Sequence, residues 1–239
     1  GGEDELKRQG KSTRLLQAMC QMANNRNALY VTGEESLQQV AMRAQRLGLP
    51  RDKLKLLAET NIEVICDLAL QHKPELMVID SIQVMQVPDV QSAPGSVSQV
   101  RESAAYLTRF AKQHHIAMFL VGHVTKDGSL AGPKVLEHCI DCSMMLEGES
   151  DSRYRTLRSQ KNRFGAVNEL GVFAMTEKGL KEVSNPSAIF LSRDDQQSPG
   201  SIVMVVWEGS RPLLVEIQAL VDYSQMANPR RVAVGLDQN

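Results

Sequence analysis

Aromatic residues make up only 4% of this 239-residue chain, with a single tryptophan, and cysteine occurs just four times. Four cysteines spread over such a length do not knit a disulfide scaffold. No stretch approaches the roughly 18 uncharged apolar residues that a transmembrane helix needs. Charge of one sign is also not in excess: 27 Lys and Arg stand against 28 Asp and Glu, a net charge of -1. That excludes a surface given wholly to nucleic acid. It leaves room for a local basic stripe, because a partner feels the local field and not the sum. What is present is 42% apolar residues, enough for one sizeable core, and neither a disordered chain nor a collagen-like repeat has this balance.

The start of the chain carries no secretory pattern, so a reduced, cytoplasmic compartment is the expectation, with no membrane partner. Cys139-Ile140-Asp141-Cys142 has the spacing of half a zinc knuckle. A tetrahedral site needs two more soft ligands at suitable spacing and none follows, so zinc is not expected. A redox pair and ordinary small residues are the other readings of the same two cysteines.

Apolar runs alternate with helical periodicity through the first half. Leu15, Leu16, Met19 and Met22 repeat on a helical period, and Ala28–Thr32 reads as a buried strand. Ser36 can cap a helix that runs to about Leu47, where Gly48-Leu49-Pro50 stops it. Strands at Leu54–Leu57, Leu76–Asp80 and Ile116–Val121 then alternate with helices at Ile62–Leu70 and Val97–Gln113. Apolar strands separated by helices are parallel strands covered on both faces, the mark of an α/β class. From about Ile140 the strands are joined by connections too short for crossover helices, so they should be antiparallel. Ser198-Pro199-Gly200 is the expected boundary, giving one domain over 1–200 and the start of another over 201–239.

Gly10-Lys11-Ser12-Thr13 opens the first helix and has the form of the closing half of a phosphate loop. There the helix N-terminus offers amide donors, the lysine reaches the β and γ phosphates, and the serine hydroxyl can hold magnesium. The full pattern has a glycine five residues before Gly10, and that place holds Glu5, a carboxylate that would repel phosphate. Asp80 ends an apolar strand at the sheet edge where open α/β sheets bind ligands, and can support a magnesium shell. Glu34-Glu35 follows another apolar strand, in position to polarise water as a general base; an acidic pair in a first helical turn is the alternative. His123, at the end of Ile116–Val121, can sense the γ phosphate and inform the loop that follows. That loop contains Lys126 and Lys134 and can touch a nucleic-acid backbone, or can simply be solvated. Arg153, Arg155, Arg158, Lys161 and Arg163 form a basic run free of Asp and Glu. Such a strand offers charge to phosphate on DNA or across a subunit interface, or is merely exposed.

Five segments together resemble the RecA-type ATPase core of the bacterial RadA (Sms) DNA repair family. They are Leu29-Tyr30-Val31-Thr32-Gly33-Glu34-Glu35-Ser36, Leu76-Met77-Val78-Ile79-Asp80-Ser81-Ile82-Gln83, Val121-Gly122-His123-Val124-Thr125-Lys126-Asp127-Gly128, Leu136-Glu137-His138 and Lys161-Asn162-Arg163-Phe164-Gly165. The last is the family's signature. The resemblance implies a RecA-like P-loop ATPase core, with a mainly parallel central sheet and an antiparallel extension. It implies ATP, ADP and Mg2+ as ligands, single-stranded and branched DNA and a recombinase as partners, and a hexameric ring that aids branch migration. Lys11, Ser12 and Asp80 match the phosphate and metal residues, with Gly10, Thr13 and His123 beside them, and Glu34 matches the catalytic base. Lys161 and Arg163 match the signature's basic pair, which can complete a neighbouring subunit's site. The loops Val84–Gly95 and Val124–Lys134 correspond to DNA-facing loops.

This chain departs from the family pattern in three ways. The four-cysteine zinc module is absent, the Lon-protease-like domain is only begun, and the glycine-rich front of the phosphate loop and the strand before it are missing. Sharply weakened nucleotide affinity is the expected consequence of the third. The competing reading is a nucleotide-independent DNA-binding or subunit-assembly module, and a third is a small-molecule kinase.

Overall fold

A computed structural model describes residues 13, 15–21, 26–49, 54–124, 133–148, 152–167, 169–191, 199–223 and 231–235. The chain divides into two compact units, Gly1–Ser184 and Asn185–Asn239. That division falls earlier than Ser198-Pro199-Gly200, because the short helix Ser187–Phe190 packs on a strand of the second unit.

In the first unit, strands β1 (Ala28–Thr32), β2 (Leu54–Ala58), β3 (Leu76–Asp80) and β4 (Ala117–Val121) form a parallel sheet in the order β2-β1-β3-β4. Helical residues 15–21 (α1) and α2 (Leu37–Arg46) belong to one face. There Leu16, Met19, Val40 and Ala44 pack with Tyr30 and Val78. On the other face α3 (Ile62–His72) and α4 (Val97–His114) bring Ile62, Ile65, Leu107 and Phe110 against Val31, Met77 and Ile79. Alternate residues of each strand therefore feed two cores, and every residue of β1 and β3 is buried. This two-sided burial is why those strands read as unbroken apolar runs.

The helix ends follow from local chemistry. Ser36 caps α2 by accepting from the Gln39 amide, while the Gln39 side chain accepts from the Ser36 amide. Asn61 caps α3 by accepting from the Glu63 and Val64 amides, and Ser96 caps α4 by accepting from the Gln99 amide. No helix among the described residues is long and apolar enough to cross a membrane.

The antiparallel expectation holds. Strands β5 (Cys142–Glu147), β6 (Tyr154–Asn162), β7 (Leu170–Thr176) and β8 (Gly179–Glu182) form a second sheet in sequential order. The β7–β8 turn needs Gly179, which has φ +100°; an added Cβ there would lie 2.2 Å from Gln17 Nε2. Gln17 donates to the Lys178 carbonyl at 3.2 Å and accepts from the Leu180 amide at 3.3 Å, which ties α1 to this hairpin. The second unit holds α5 (Ser187–Phe190) and the hairpin β9 (Ser201–Glu208) and β10 (Arg211–Gln218), paired antiparallel.

The four cysteines are free thiols in unlike settings. Burial, with Asp67 nearby, pushes the Cys66 thiol up to about 12, and burial raises Cys20 as well. Cys142 is exposed and Cys139 half-buried. Since the thiolate is the nucleophile, iodoacetamide at pH 8 should modify Cys142 first and leave Cys20 and Cys66 unmodified until the chain unfolds. Peptide mass mapping over time reads this order, and early labelling of Cys66 would contradict it.

Candidate active site

Parallel register brings three strand ends to one edge. Thr32 is level with Asp80, and Asp80 is level with Val121. Whatever immediately follows β1, β3 and β4 is therefore gathered at the carboxyl edge of the sheet, where open α/β sheets hold ligands.

Behind β1, Gly33 is required by close approach: an added Cβ would lie 2.4 Å from Val84 Cγ2. The Gly33 amide donates to the Asp80 carbonyl at 2.8 Å, so the turn is fastened to β3. The next two residues part company. The Glu35 carboxylate pairs with Arg43 of α2, and its main chain is held by Thr32, whose hydroxyl accepts from the Glu35 amide at 3.0 Å and donates to its carbonyl at 2.9 Å. Glu34 turns to the other two strand ends. Its Oε1 accepts from the Ser81 hydroxyl at 2.7 Å and lies 3.9 Å from His123 Nε2, an ion-pair distance when the imidazole is protonated.

Asp80 is only 7% exposed and accepts a hydrogen bond from the Tyr30 hydroxyl. Burial, followed by the Asp80 charge and hydrogen bond, drives the Tyr30 phenol far above its ordinary range, so it stays protonated and donates. The peptide joining Asp80 to Ser81 is cis. His123 is fixed through its main chain: Gln83 donates from Nε2 to its carbonyl at 2.8 Å and accepts from its amide at 3.2 Å. Glu34, Ser81, Gln83 and His123 thus form one connected polar cluster across the ends of three strands.

Among the expected site residues, Glu34, Asp80 and His123 are brought together. Thr13 is helical and buried. Gly10, Lys11, Ser12 and Lys126 lie outside the described residues, as does the whole segment 125–132. Lys161 and Arg163 make their contacts elsewhere. The Lys161 ammonium donates to the carbonyls of Glu137 and Ile140, the latter at 2.9 Å, and Arg163 pairs with Asp141 at 2.6 Å.

The basic run is not a single face. Arg153 is exposed, donates to the Tyr154 hydroxyl at 2.8 Å and lies over its ring. Arg155 was expected to present charge beside Arg153, and the structure corrects this. Arg155 is 6% exposed, and its guanidinium donates to the carbonyls of Ser152 and Tyr154 at 2.5 and 2.7 Å. It braces the strand start and does not face a polyanion. Lys134 is exposed in the 3-10 turn Pro133–Leu136. The expected DNA-facing loop Val84–Gly95 is partly core: Met85 and Val87 are buried, and Gln99 of α4 accepts from the Val87 amide at 3.0 Å.

Tyr30, Ser81, Gln83 and Arg43 escaped the sequence reading as site residues. Tyr30 was hidden inside an apolar strand. Its period-two placement on the face shared with Asp80 was the available signal. Ser81 and Gln83 stand directly after Asp80, but nothing in the sequence shows that they reach Glu34 and His123.

A magnesium nucleotide suits this donor set. Magnesium is usually held by one or two carboxylates together with phosphate oxygens and water, not by a protein cage. Asp80 is one such carboxylate, and among the described residues no group of three His, Cys, Asp or Glu could enclose a metal.

A family model described as an AAA domain matches residues 7–129. The DNA repair protein RadA of Escherichia coli strain K12 is 75% identical over 230 residues, covering 96% of this chain and 50% of that protein. RadA of Haemophilus influenzae is 74% identical over 230 residues, with the same coverage of 96% and 50%. RadA of Bacillus subtilis is 50% identical over 231 residues, again 96% of this chain and 50% of that protein. The chain thus spans about half the length of these curated relatives. The parallel sheet, the acidic residues at its carboxyl edge and the matched segment agree: the chain belongs to the AAA-domain family, as a RadA-like ATPase core of the RecA type.

Proposed function

We propose that this chain is the ATP-hydrolysing core of a DNA repair and recombination motor, one that works on single-stranded and branched DNA beside a recombinase and assembles as a hexameric ring. The observation that carries the reading is the convergence of Glu34, Ser81 and His123 on the edge where Asp80 ends β3. Gly10, Lys11, Ser12 and Thr13 bind the phosphates, and Ser12 with Asp80 would hold magnesium. Bound there, the metal would supply charge to offset that of the transferring phosphoryl group. Glu34 accepts the proton of the attacking water as its oxygen bonds the γ phosphorus and the bridging oxygen departs with ADP. Ser81 aims that carboxylate. His123, locked to Gln83, couples the site to the segment ahead of Lys126 and Lys134.

Lys161 and Arg163 serve a neighbouring subunit's ATP site in the ring. Both side chains make contacts to the segment 137–141. Residues 201–239 belong to a Lon-protease-like domain, and the protein works in the cytoplasm.

Lys134 and Arg153 contact DNA through phosphate. Replacing either with alanine should weaken binding to single strands of any sequence, and should lower the slope of log affinity against log salt by about 0.7. The deciding measurement is ATP turnover with and without single-stranded DNA, in the parent chain and in Lys11→Ala. Stimulation by DNA that is lost in Lys11→Ala supports the motor. Undiminished DNA binding without ATP, with no effect of Lys11→Ala, supports the nucleotide-independent binding or assembly module instead.

A further inference from the structure

The ATP site makes no use of Cys139 and Cys142, two free thiols three residues apart. Cys139 is half-buried and Cys142 exposed, unlike the buried Cys20 and Cys66. The chain between them is folded back on itself. The Cys139 amide donates to the Leu136 carbonyl at 2.9 Å, which closes a turn, and the chain bends again at Asp141 before β5 starts at Cys142. Three extended residues would hold the two Cα atoms about 10 Å apart. A disulfide needs about 4.4–6.8 Å, so a bend is the local geometry that permits one.

Both residues between the cysteines are gripped by cations of β6 and the turn after it. The Lys161 ammonium donates to the Ile140 carbonyl at 2.9 Å and to the Glu137 carbonyl. Arg163 pairs with the Asp141 carboxylate at 2.6 Å, and its amide donates to the Asp141 carbonyl at 2.8 Å. Cys142 itself is level with Asn162, the residue between those two cations. For either cation to reach a phosphate on another subunit, its grip on residues 137–141 has to open.

We propose that Cys139 and Cys142 are a redox-modification site, and that a disulfide between them locks Lys161 and Arg163 onto residues 137–141. The oxidant is a low-molecular-weight disulfide such as glutathione disulfide. The exposed Cys142 reacts first, as thiolate: its sulfur bonds one glutathione sulfur, the reagent's S–S bond breaks, and the other glutathione leaves as thiolate. The Cys139 thiolate then attacks the Cys142 sulfur and expels the second glutathione. Two protein thiols are oxidised, one glutathione disulfide is reduced to two glutathione molecules, and the two thiol protons are taken up by the leaving thiolates. The cross-link removes freedom from the bend that carries Ile140 and Asp141, so their contacts to the cations open less often. Exposed disulfides are the readily reduced, regulatory kind, which makes the lock reversible. The site itself stands apart from the ATPase reading, whereas its effect on turnover rests on the proposed place of Lys161 and Arg163 at a neighbour's site.

The test equilibrates the chain with glutathione disulfide and follows intact mass, peptide maps and amide exchange by NMR. The mass should fall by two hydrogens, the link should map to Cys139 and Cys142, and dithiothreitol should reverse it. Exchange of the Arg163 amide should slow by about tenfold or more in the bridged chain. Cys139→Ser should stop with one glutathione held on Cys142, because the resolving thiol is gone, and should leave Arg163 exchange as in the reduced chain. A glutathione adduct that persists on the parent chain, a link through Cys20 or Cys66, or unchanged Arg163 exchange in the bridged chain would overturn the proposal. So would a doubled mass from a link between two copies of Cys142. Turnover that falls about tenfold or more on bridging, as misplacement of a site residue can cause, and returns with dithiothreitol supports the lock. A bridge that slows Arg163 exchange but leaves turnover unchanged would overturn the place of the two cations at a neighbour's site, not the lock. Absent turnover in the reduced chain would count against the ATPase reading alone.

Discussion

Glu34→Gln should lower the ATP turnover number by about 10²- to 10⁴-fold, the usual range for removing a general base, while the chain keeps its fold. Glutamine has the shape of glutamate and retains an oxygen that can accept from the Ser81 hydroxyl, so the Ser81 contact that aims the side chain survives. What is lost is the capacity to take a proton from water. Unfolding stability should stay within about 0.5 kcal/mol, as for a substitution that removes no packing. Glu35→Gln provides the contrast. Glu35 faces Arg43, a largely buried arginine whose other terminal nitrogen, Nη1, has no hydrogen-bond partner among the described residues. Neutralising Glu35 leaves that guanidinium uncompensated and should cost about 1–3 kcal/mol, discounted for the partial exposure of the carboxylate, with a smaller effect on turnover. Turnover at saturating ATP and urea unfolding are measured on both variants. Loss of turnover in Glu35→Gln with retention in Glu34→Gln would reverse the two roles.

The two glutamates also show where sequence reading stops. Strands β1, β3 and β4 were legible because burial on both faces leaves unbroken apolar runs, and Ser36 announced α2 through its capping pattern. The carboxyl edge followed from parallel order, so Glu34, Asp80 and His123 could be named as neighbours before any coordinates. Adjacent letters could not say which glutamate turns inward. That depends on Arg43, eight residues on within α2, and on the hydroxyl of Ser81 just after β3. Arg155 illustrates the same limit: alternation put it on one side with Arg153, but burial is decided by what lies opposite, and Gly148 leaves room for its side chain. An added Cβ there would lie 2.3 Å from Arg155 Cδ. The central composition of β4 was read correctly as apolar and parallel, although its half-exposed edge is visible only once the strand order is known.

Asp80 and Tyr30 should behave as one unit, and this gives the second large expected effect. Asp80→Asn removes the charge but keeps an oxygen for the Tyr30 hydroxyl, so turnover should fall about 10- to 100-fold, as for loss of a metal-supporting partner, with little change in stability. The magnesium concentration for half-maximal turnover should rise in parallel. Asp80→Ala removes the acceptor as well. The Tyr30 phenol is 1% exposed and would be buried without a partner, which costs about 1–3 kcal/mol. Tyr30→Phe alone strips a donor from a carboxylate that is itself 7% exposed, and should cost about 1–2 kcal/mol while lowering turnover only modestly. Adding Tyr30→Phe to Asp80→Ala should then recover part of the stability lost in Asp80→Ala, because no orphaned hydroxyl remains. In a double-mutant cycle the coupling should be about 1–3 kcal/mol. Sign matters here as much as size. Burial and the Asp80 charge both keep the phenol protonated, so this coupling should persist unchanged from pH 6 to pH 9. A coupling that vanished within that window, or stability losses that simply added, would mean the hydroxyl and the carboxylate do not hold one another.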